Sequence, residues 1–176
     1  MTSQATVKTL LILGASGDLT GRLLLPGLAR LVARGHAPGL TLVGAGSDDW
    51  TEEQWHERLE TSFADANSQA EAPGRRELKR IRETTSYHRL DVTADGQLAG
   101  LLAQLEGPVA IYFALPPRVS QLACEALAPG QVPAGTRLVM EKPFGSSEES
   151  ARHLNETLAA LVPEDHIHRV DHFLGK

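Results

Sequence analysis

The sequence predicts an α/β fold, Rossmann-like and doubly wound, with a mainly parallel sheet flanked by helices. Three observations carry this expectation. Leu10-Leu11-Ile12-Leu13 is an apolar run that breaks at Gly14 and Gly17 and resumes with helical spacing. Thr41-Leu42-Val43-Gly44-Ala45-Gly46 then closes a strand-helix-strand unit of ordinary length. Further along, Val109–Leu115 and Arg137–Met140 are apolar runs that alternate with helix-spaced stretches, the pattern of parallel strands joined by crossover helices.

The first strand ends in the turn Gly14-Ala15-Ser16-Gly17-Asp18-Leu19. Glycines at 14 and 17 permit a sharp turn and a close approach of the backbone to a ligand. The helix that follows points its unpaired first amides at the turn, which suits a pyrophosphate. The common dinucleotide fingerprint has three glycines, and Ser16 and Leu19 stand at the second and third here. Residues 18–34 place Leu19, Leu23, Leu24, Leu28, Leu31 and Val32 on one helix face, and Gly35 ends it. The second strand leads into Ser47-Asp48-Asp49. In such folds this tip meets the adenosine ribose, where a carboxylate accepts from a 2'-hydroxyl and an arginine receives a 2'-phosphate.

Thr51-Glu52-Glu53-Gln54 has the form of a capping box, followed by Trp55, Leu59 and Phe63 along one helix face. Residues 64–76 read as a surface loop and 75–84 as a short helix. Tyr87–Val92 is the candidate third strand. Asp91 at its end either lines an adenine pocket or caps the helix that carries Leu98, Leu101, Leu102 and Leu105. Val109–Leu115 reads as a fully buried strand on the other side of strand one, so Leu115 and Pro116 fall at the crevice of the sheet. Residues 118–128 form a helix, and the strand Arg137–Met140 ends in Glu141-Lys142-Pro143-Phe144-Gly145. Lys142 at a strand's carboxyl end is placed to polarise a substrate oxygen or touch phosphate, and the Lys142–Pro143 bond is a candidate cis peptide. A helix over 147–161 precedes a charged ending, in which His166, His168 and His172 alternate without a convincing metal-ligand spacing.

Composition narrows the function. The chain has 176 residues, 41% of them hydrophobic and 22% charged, with a net charge of -5, which fits an ordinary globular domain. Basic residues are dispersed rather than striped, so nucleic acid is not an expected partner. The apolar runs fall short of the ~20 residues that span a bilayer, and no membrane partner is expected. Cys124 is the single cysteine; it reads as a buried structural thiol, and it fits a reducing, cytoplasmic location.

Three segments together resemble the glucose-6-phosphate dehydrogenase family: Gly14–Leu19, Glu141–Gly145, and Arg169-Val170-Asp171-His172-Phe173-Leu174-Gly175-Lys176. The resemblance implies an oxidoreductase that moves a hydride from C1 of glucose 6-phosphate to NADP, giving 6-phosphogluconolactone in the pentose phosphate pathway. It implies dinucleotide contacts at Gly14, Ala15, Ser16, Gly17, Asp18, Leu19, Ser47, Asp48, Asp91, Leu115, Pro116 and Lys142. Lys142 would touch both sugar and cofactor. His172 and Lys176 would hold the 6-phosphate, with Phe173, Leu174 and Gly175 beside them, and no metal is implied. Asp171 would orient a catalytic histidine that the family carries in a second, α+β domain built on a large antiparallel sheet.

On this reading residues 1–176 are the dinucleotide-binding domain, ending at the start of the substrate site. The general base and most of the family's oligomer surface then lie outside the chain, and the segment is expected to be inactive alone. Two positions depart from the family. Phe173 stands where many members have tyrosine, and Ser47 stands where the family has the arginine for the 2'-phosphate. With Asp48 beside it, Ser47 implies a weakened NADP preference and NAD tolerated or favoured, unless Arg22 or another cation reaches the same spot. Two alternatives are a different sugar oxidoreductase carrying Glu-Lys-Pro, and a non-catalytic module that binds a dinucleotide or sugar phosphate.

Overall fold

The computed structural model describes residues 6–142 and 147–170. Six strands form one parallel sheet in the order β3-β2-β1-β4-β5-β6: β1 Thr9–Leu13, β2 Thr41–Gly46, β3 Ser86–Arg89, β4 Val109–Phe113, β5 Arg137–Glu141 and β6 Ile167–Val170. The order reverses between β1 and β4, which opens a crevice at the carboxyl ends of those two strands. The fold expected from the sequence is therefore the fold observed.

β1 shows why the sheet must be covered twice. Leu11 and Leu13 join one apolar cluster while Ile12 joins the other, and all three are at most 1% exposed. Alternate side chains point to opposite faces, so an all-apolar strand needs a layer on each side. The first layer is α1 Leu25–Ala33, α2 Glu52–Gln69 and α3 Ala72–Thr84; the second is α4 Gln97–Leu102, α5 Pro117–Glu125 and α6 Glu148–Leu161. Each fully buried leucine or isoleucine contributes roughly 1.5–3 kcal/mol.

Several boundaries differ from the sequence expectation for identifiable reasons. The stretch 64–76 is not a loop: α2 runs to Gln69, and α3 begins at Ala72 with proline in its first turn. Proline is tolerated there because the first amides of a helix have no partner, and Gly74 packs against the Ala33 carbonyl, where a Cβ has no room. The first helix also changes step. Leu25 N–H bonds the Thr20 carbonyl, a wide π-type turn over Thr20–Leu24 just before Pro26. The extra residue rotates the apolar face, so Leu25 is buried, while Leu23 and Leu31, both expected on the apolar face, are 56% and 46% exposed. β3 stops at Arg89 rather than Val92, β4 at Phe113 rather than Leu115, and α5 ends at Glu125.

The capping box at Thr51 forms as expected: Gln54 N–H donates to Thr51 Oγ1 at 3.3 Å, and Thr51 N–H donates to Gln54 Oε1 at 2.9 Å. Trp55, Leu59 and Phe63 are buried on the inner face of α2. Trp55 Nε1 donates to Thr85 Oγ1 at 2.9 Å, and Thr85 Oγ1 donates to the Leu42 carbonyl at 2.8 Å, tying α2 to β2 through one buried hydroxyl. Thr85→Val leaves both ends of this chain unpaired, and is expected to cost about 1–3 kcal/mol in urea unfolding. A midpoint equal to the parent's would show that the hydroxyl contributes nothing.

Cys124 is fully buried on α5. Burial, and then the neighbouring Glu125 carboxylate, push its thiol up to about 12. Above the ordinary cysteine value of ~8.5 the unfolded chain gives up a proton that the folded chain keeps, so this stability is complete below that pH and falls as pH rises toward 12. Burial also raises the Tyr112 phenol, which adds to the same alkaline limb. Cys124→Ala is expected to flatten the loss of stability between pH ~9 and ~11 in urea titrations. An unchanged slope would remove the thiol from this account.

Candidate dinucleotide site

The site grows from the turn after β1. Gly14 and Ala15 N–H groups both donate to the Ala45 carbonyl, at 2.9 and 3.0 Å, which fastens the turn to the end of β2. Ala114 N–H donates to the Leu13 carbonyl at 2.9 Å, fastening β4's exit on the other side. Gly14 has φ +83°, and a Cβ there would run into the Ala114 carbonyl oxygen. Gly14 is thus required by packing and backbone conformation rather than by ligand approach. Gly17 is different: it is exposed, and a Cβ there would lie 3.1 Å from the Gly14 carbonyl oxygen.

Asp18 and Leu19 already have helical backbone. Among the described residues no hydrogen-bond acceptor meets the amides of Ser16, Asp18 and Leu19. These donors at a helix start suit phosphate oxygens, and they stand at the carboxyl end of the sheet beside the reversal of strand order, so the residues present fit a nicotinamide dinucleotide. The Thr20 hydroxyl, fully buried, donates to the Gly14 carbonyl at 2.9 Å and holds the turn against its helix. Leu115 and Pro116 flank the crevice, with Leu115 Cδ2 3.1 Å from the position of a Gly14 Cβ and Pro116 directly before α5.

At the tip of β2, Ser47, Asp48 and Asp49 are exposed. Tyr87 Oη donates to the Asp48 carbonyl at 3.0 Å and is hydrogen-bonded to the Ser16 side chain; burial is the main reason its phenol is raised. Gly46 leaves room for that meeting, since a Cβ would come within 2.9 Å of Tyr87 Oη and 3.2 Å of Ser16 Oγ. Asp91 lies past the end of β3. Its carboxylate accepts from the Thr93 hydroxyl at 2.7 Å and amide at 2.9 Å, which together hold it below the usual carboxylate range. This is a turn that Asp91 closes on itself: Gly96, not Asp91, precedes the first residue of α4.

The far end of the sheet carries the other expected residues. β5 and β6 pair in parallel with Glu141 opposite Val170, and Lys142 N–H donates to the Val170 carbonyl at 3.3 Å. Lys142 therefore sits beside the last described residue before Asp171. Glu141 stands beside Tyr112 of β4, whose phenol is raised by burial first and then by this carboxylate. Arg169 binds Glu164 at 2.7 Å and Asn155 at 2.8 Å, a structural clamp to α6. His166 Nδ1 meets the Thr136 carbonyl at 2.9 Å. Pro143, Phe144 and Gly145, the Lys142–Pro143 bond, and Asp171, His172, Phe173, Leu174, Gly175 and Lys176 lie outside the described residues.

Compared with known proteins, residues 11–176 match the family model described as glucose-6-phosphate dehydrogenase, NAD binding domain. The chain belongs to this family. It is similar to the glucose-6-phosphate 1-dehydrogenase of Bacillus subtilis, 36% identical over 191 residues, which cover 99% of this chain and 37% of that protein. Among solved structures it is similar to glucose-6-phosphate 1-dehydrogenase from Mycobacterium avium, with a TM-score of 0.79 and 32% identity over 97% of this chain and 37% of the other. A second structure, glucose-6-phosphate dehydrogenase in complex with its substrate glucose-6-phosphate, gives a TM-score of 0.79 at 28% identity, covering 100% and 39%. The chain thus spans a little over a third of the length of these glucose-6-phosphate dehydrogenases.

Sequence reasoning missed Arg58, Trp50, Tyr87 and Gly46 around the turn, and Tyr112 and Glu141 beside Lys142. A larger hollow of about 720 Å³, lined among others by Arg30, Gly35, Pro73 and Gly74, lies near the end of α1 and the start of α3, away from the turn. Among the described residues no group of three histidine, cysteine or acidic side chains is placed to hold a metal, and no helix is long and apolar enough to cross a membrane. The two glycines of the turn are separable by experiment. Gly14→Ala is expected to lose about 2–5 kcal/mol of stability from a strained φ and an overlap. Gly17→Ala is expected to stay folded while binding dinucleotide at least ~10-fold more weakly. Equal effects on folding and binding in both variants would contradict this division.

Proposed function

We propose that residues 1–176 are the dinucleotide-binding part of an enzyme that oxidises glucose 6-phosphate to 6-phosphogluconolactone, with NADP as acceptor and NAD tolerated. The observation that carries this reading is the parallel pairing of β5 with β6, which sets Lys142 beside Val170 at the carboxyl end of the sheet. Lys142 and Val170 thus lie at the carboxyl ends of their strands, the end of an open α/β sheet where ligands bind. Family membership supports the assignment of roles.

When bound, the nicotinamide supplies the acceptor for the hydride that leaves C1 of the sugar. Lys142 contacts both ligands and stabilises negative charge developing on the sugar oxygen. His172 and Lys176 hold the 6-phosphate through charge-assisted hydrogen bonds, flanked by Phe173, Leu174 and Gly175. Asp171 orients and stabilises the histidine that takes the C1 hydroxyl proton, a base that the family carries in its second domain. On the dinucleotide side Gly14, Ala15, Ser16, Gly17, Asp18 and Leu19 would hold the pyrophosphate, Ser47 and Asp48 would meet the adenosine ribose, and Asp91 would meet the adenine. Leu115 and Pro116 line the far wall. We infer a cytoplasmic location, which agrees with the single cysteine being a buried free thiol.

Calorimetric titration of the chain with NADP, with NAD and with glucose 6-phosphate tests the assignment. Both dinucleotides are expected to bind, and Lys142→Ala is expected to weaken glucose 6-phosphate at least ~10-fold while leaving the melting curve in place. Failure of both dinucleotides to bind a chain that circular dichroism shows to be folded would overturn it.

A further inference from the structure

Resting on that reading of the turn, we propose that Arg58 of α2 receives the 2'-phosphate of NADP, in the role that Ser47 at the tip of β2 has no charge to fill. Three arginines stand around the turn and the tip, and their partners separate them. Arg22 is paired with Asp18 at 3.2 Å, and Arg89 with Asp49 at 3.0 Å. Among the described residues Arg58 is paired with no carboxylate. Its Nη2 and Nη1 reach the carbonyls of Ser16 and Gly17, both at 3.4 Å. These contacts are long against the usual 2.9–3.0 Å, and they engage two of the guanidinium's five N–H donors.

The location is the one the chemistry needs. Ser16 faces the end of β2, since its Oγ lies 3.2 Å from where a Gly46 Cβ would be and its side chain is hydrogen-bonded to Tyr87, which also holds the Asp48 carbonyl. A guanidinium held at Ser16 therefore stands beside the strand tip that meets the adenosine ribose. Its position is built. Arg58 Cζ lies 4.9 Å from the centre of the Trp50 ring, and Trp50 stacks in turn near Tyr87, ring centres 5.8 Å apart. The aromatic face supports the cation while leaving its edge for an anion. Beside it is a hollow of about 320 Å³ lined by Trp50, Gln54, Glu57, Arg58 and Thr61. Glu57 is the carboxylate on that wall; Asp48 and Asp49 are those on the tip. An arginine attached to a helix thus does what an arginine attached to the strand tip does elsewhere, because the attraction depends on where the charge sits.

Two nucleotides that differ by one group isolate the claim: adenosine 2',5'-bisphosphate and adenosine 5'-monophosphate, titrated calorimetrically into the 176-residue chain at fixed salt. The parent is expected to prefer the bisphosphate by about tenfold or more. Arg58→Ala is expected to abolish most of that ratio while keeping its affinity for the monophosphate within about twofold, and Arg58→Lys to retain part of it. Arg89→Ala is expected to keep the ratio. In the parent the ratio falls with added salt, and in Arg58→Ala it does not.

An unchanged ratio in Arg58→Ala overturns the proposal, as does a loss of both nucleotides in equal measure, which would make Arg58 a prop for the turn. A parent that binds both nucleotides equally also overturns it while leaving the dinucleotide site intact. A folded parent that binds neither nucleotide, nor NADP nor NAD, removes the dinucleotide reading and the proposal together.

Discussion

The close passage of the turn after β1 against the exit of β4 is the constraint on which the rest depends. Gly14 sits at φ +83° with the Ala114 carbonyl where its side chain would begin. No other residue type satisfies both conditions, since a Cβ adds left-handed strain and a steric overlap together. The turn is also held from the β2 side, where two successive amides share the Ala45 carbonyl. Clamped on both sides, it cannot drift when the strand order reverses. The crevice between β1 and β4 is therefore a rigid feature, and a helix start with unpaired amides opens directly into it.

The electrostatics of the site follow from how charges are paired around that turn. An exposed ion pair such as Arg22–Asp18 is worth about 0–1 kcal/mol, so its effect on stability is slight. Its effect on function is larger, because a guanidinium already facing a carboxylate offers less to an incoming phosphate. Arg89–Asp49 is neutralised in the same way. Among the described residues, what remains is a turn carrying helix-start amides, an acidic strand tip, and one guanidinium supported by an indole. At the other end of the sheet Arg169 is held by Glu164 and Asn155, and the Lys142 amide is fixed by the Val170 carbonyl.

How much of this was readable in advance varied with the physical origin of each feature. The strands of the sheet centre were readable because Leu11, Ile12 and Leu13 or Val109 to Phe113 are apolar without interruption, although β4 is not fully buried as expected: Val109, Ile111 and Phe113 are buried while Ala110 and Tyr112 are half-buried. The extension of α2 through residues 64–69 was not, because its outer face is polar and Ala66 is a buried position that an alanine marks poorly. Pro73 and Gly74 looked like a break in the chain; their actual roles are a helix start and a close contact with Ala33. Leu23 was misplaced by the π-type turn, since a single inserted residue rotates every later position and leaves no trace in composition. At the site, contiguous residues were readable and remote ones were not: Arg58 is 41 and 42 residues from the carbonyls it meets, and its position in α2 marks it only as a half-exposed helical arginine.

That separation has a consequence for how the cofactor preference is read from this family. A single tip position, Ser47, argues for NAD, yet a preference is a difference between two binding free energies, and it includes every charge within a few ångströms of the ribose. Asp48 and Asp49 act on one side of that difference, with Asp49 discounted by its pairing to Arg89. The proposed Arg58 acts on the other side. Its reach is set by a helix whose inner face is pinned by Trp55, Leu59 and Phe63, so little ordering is left to be done when an anion arrives. An arginine on a mobile tip gains its contact only by losing that freedom. By this reasoning an acidic tip and an NADP preference are compatible in one chain, provided the compensating charge is carried by a rigid neighbour.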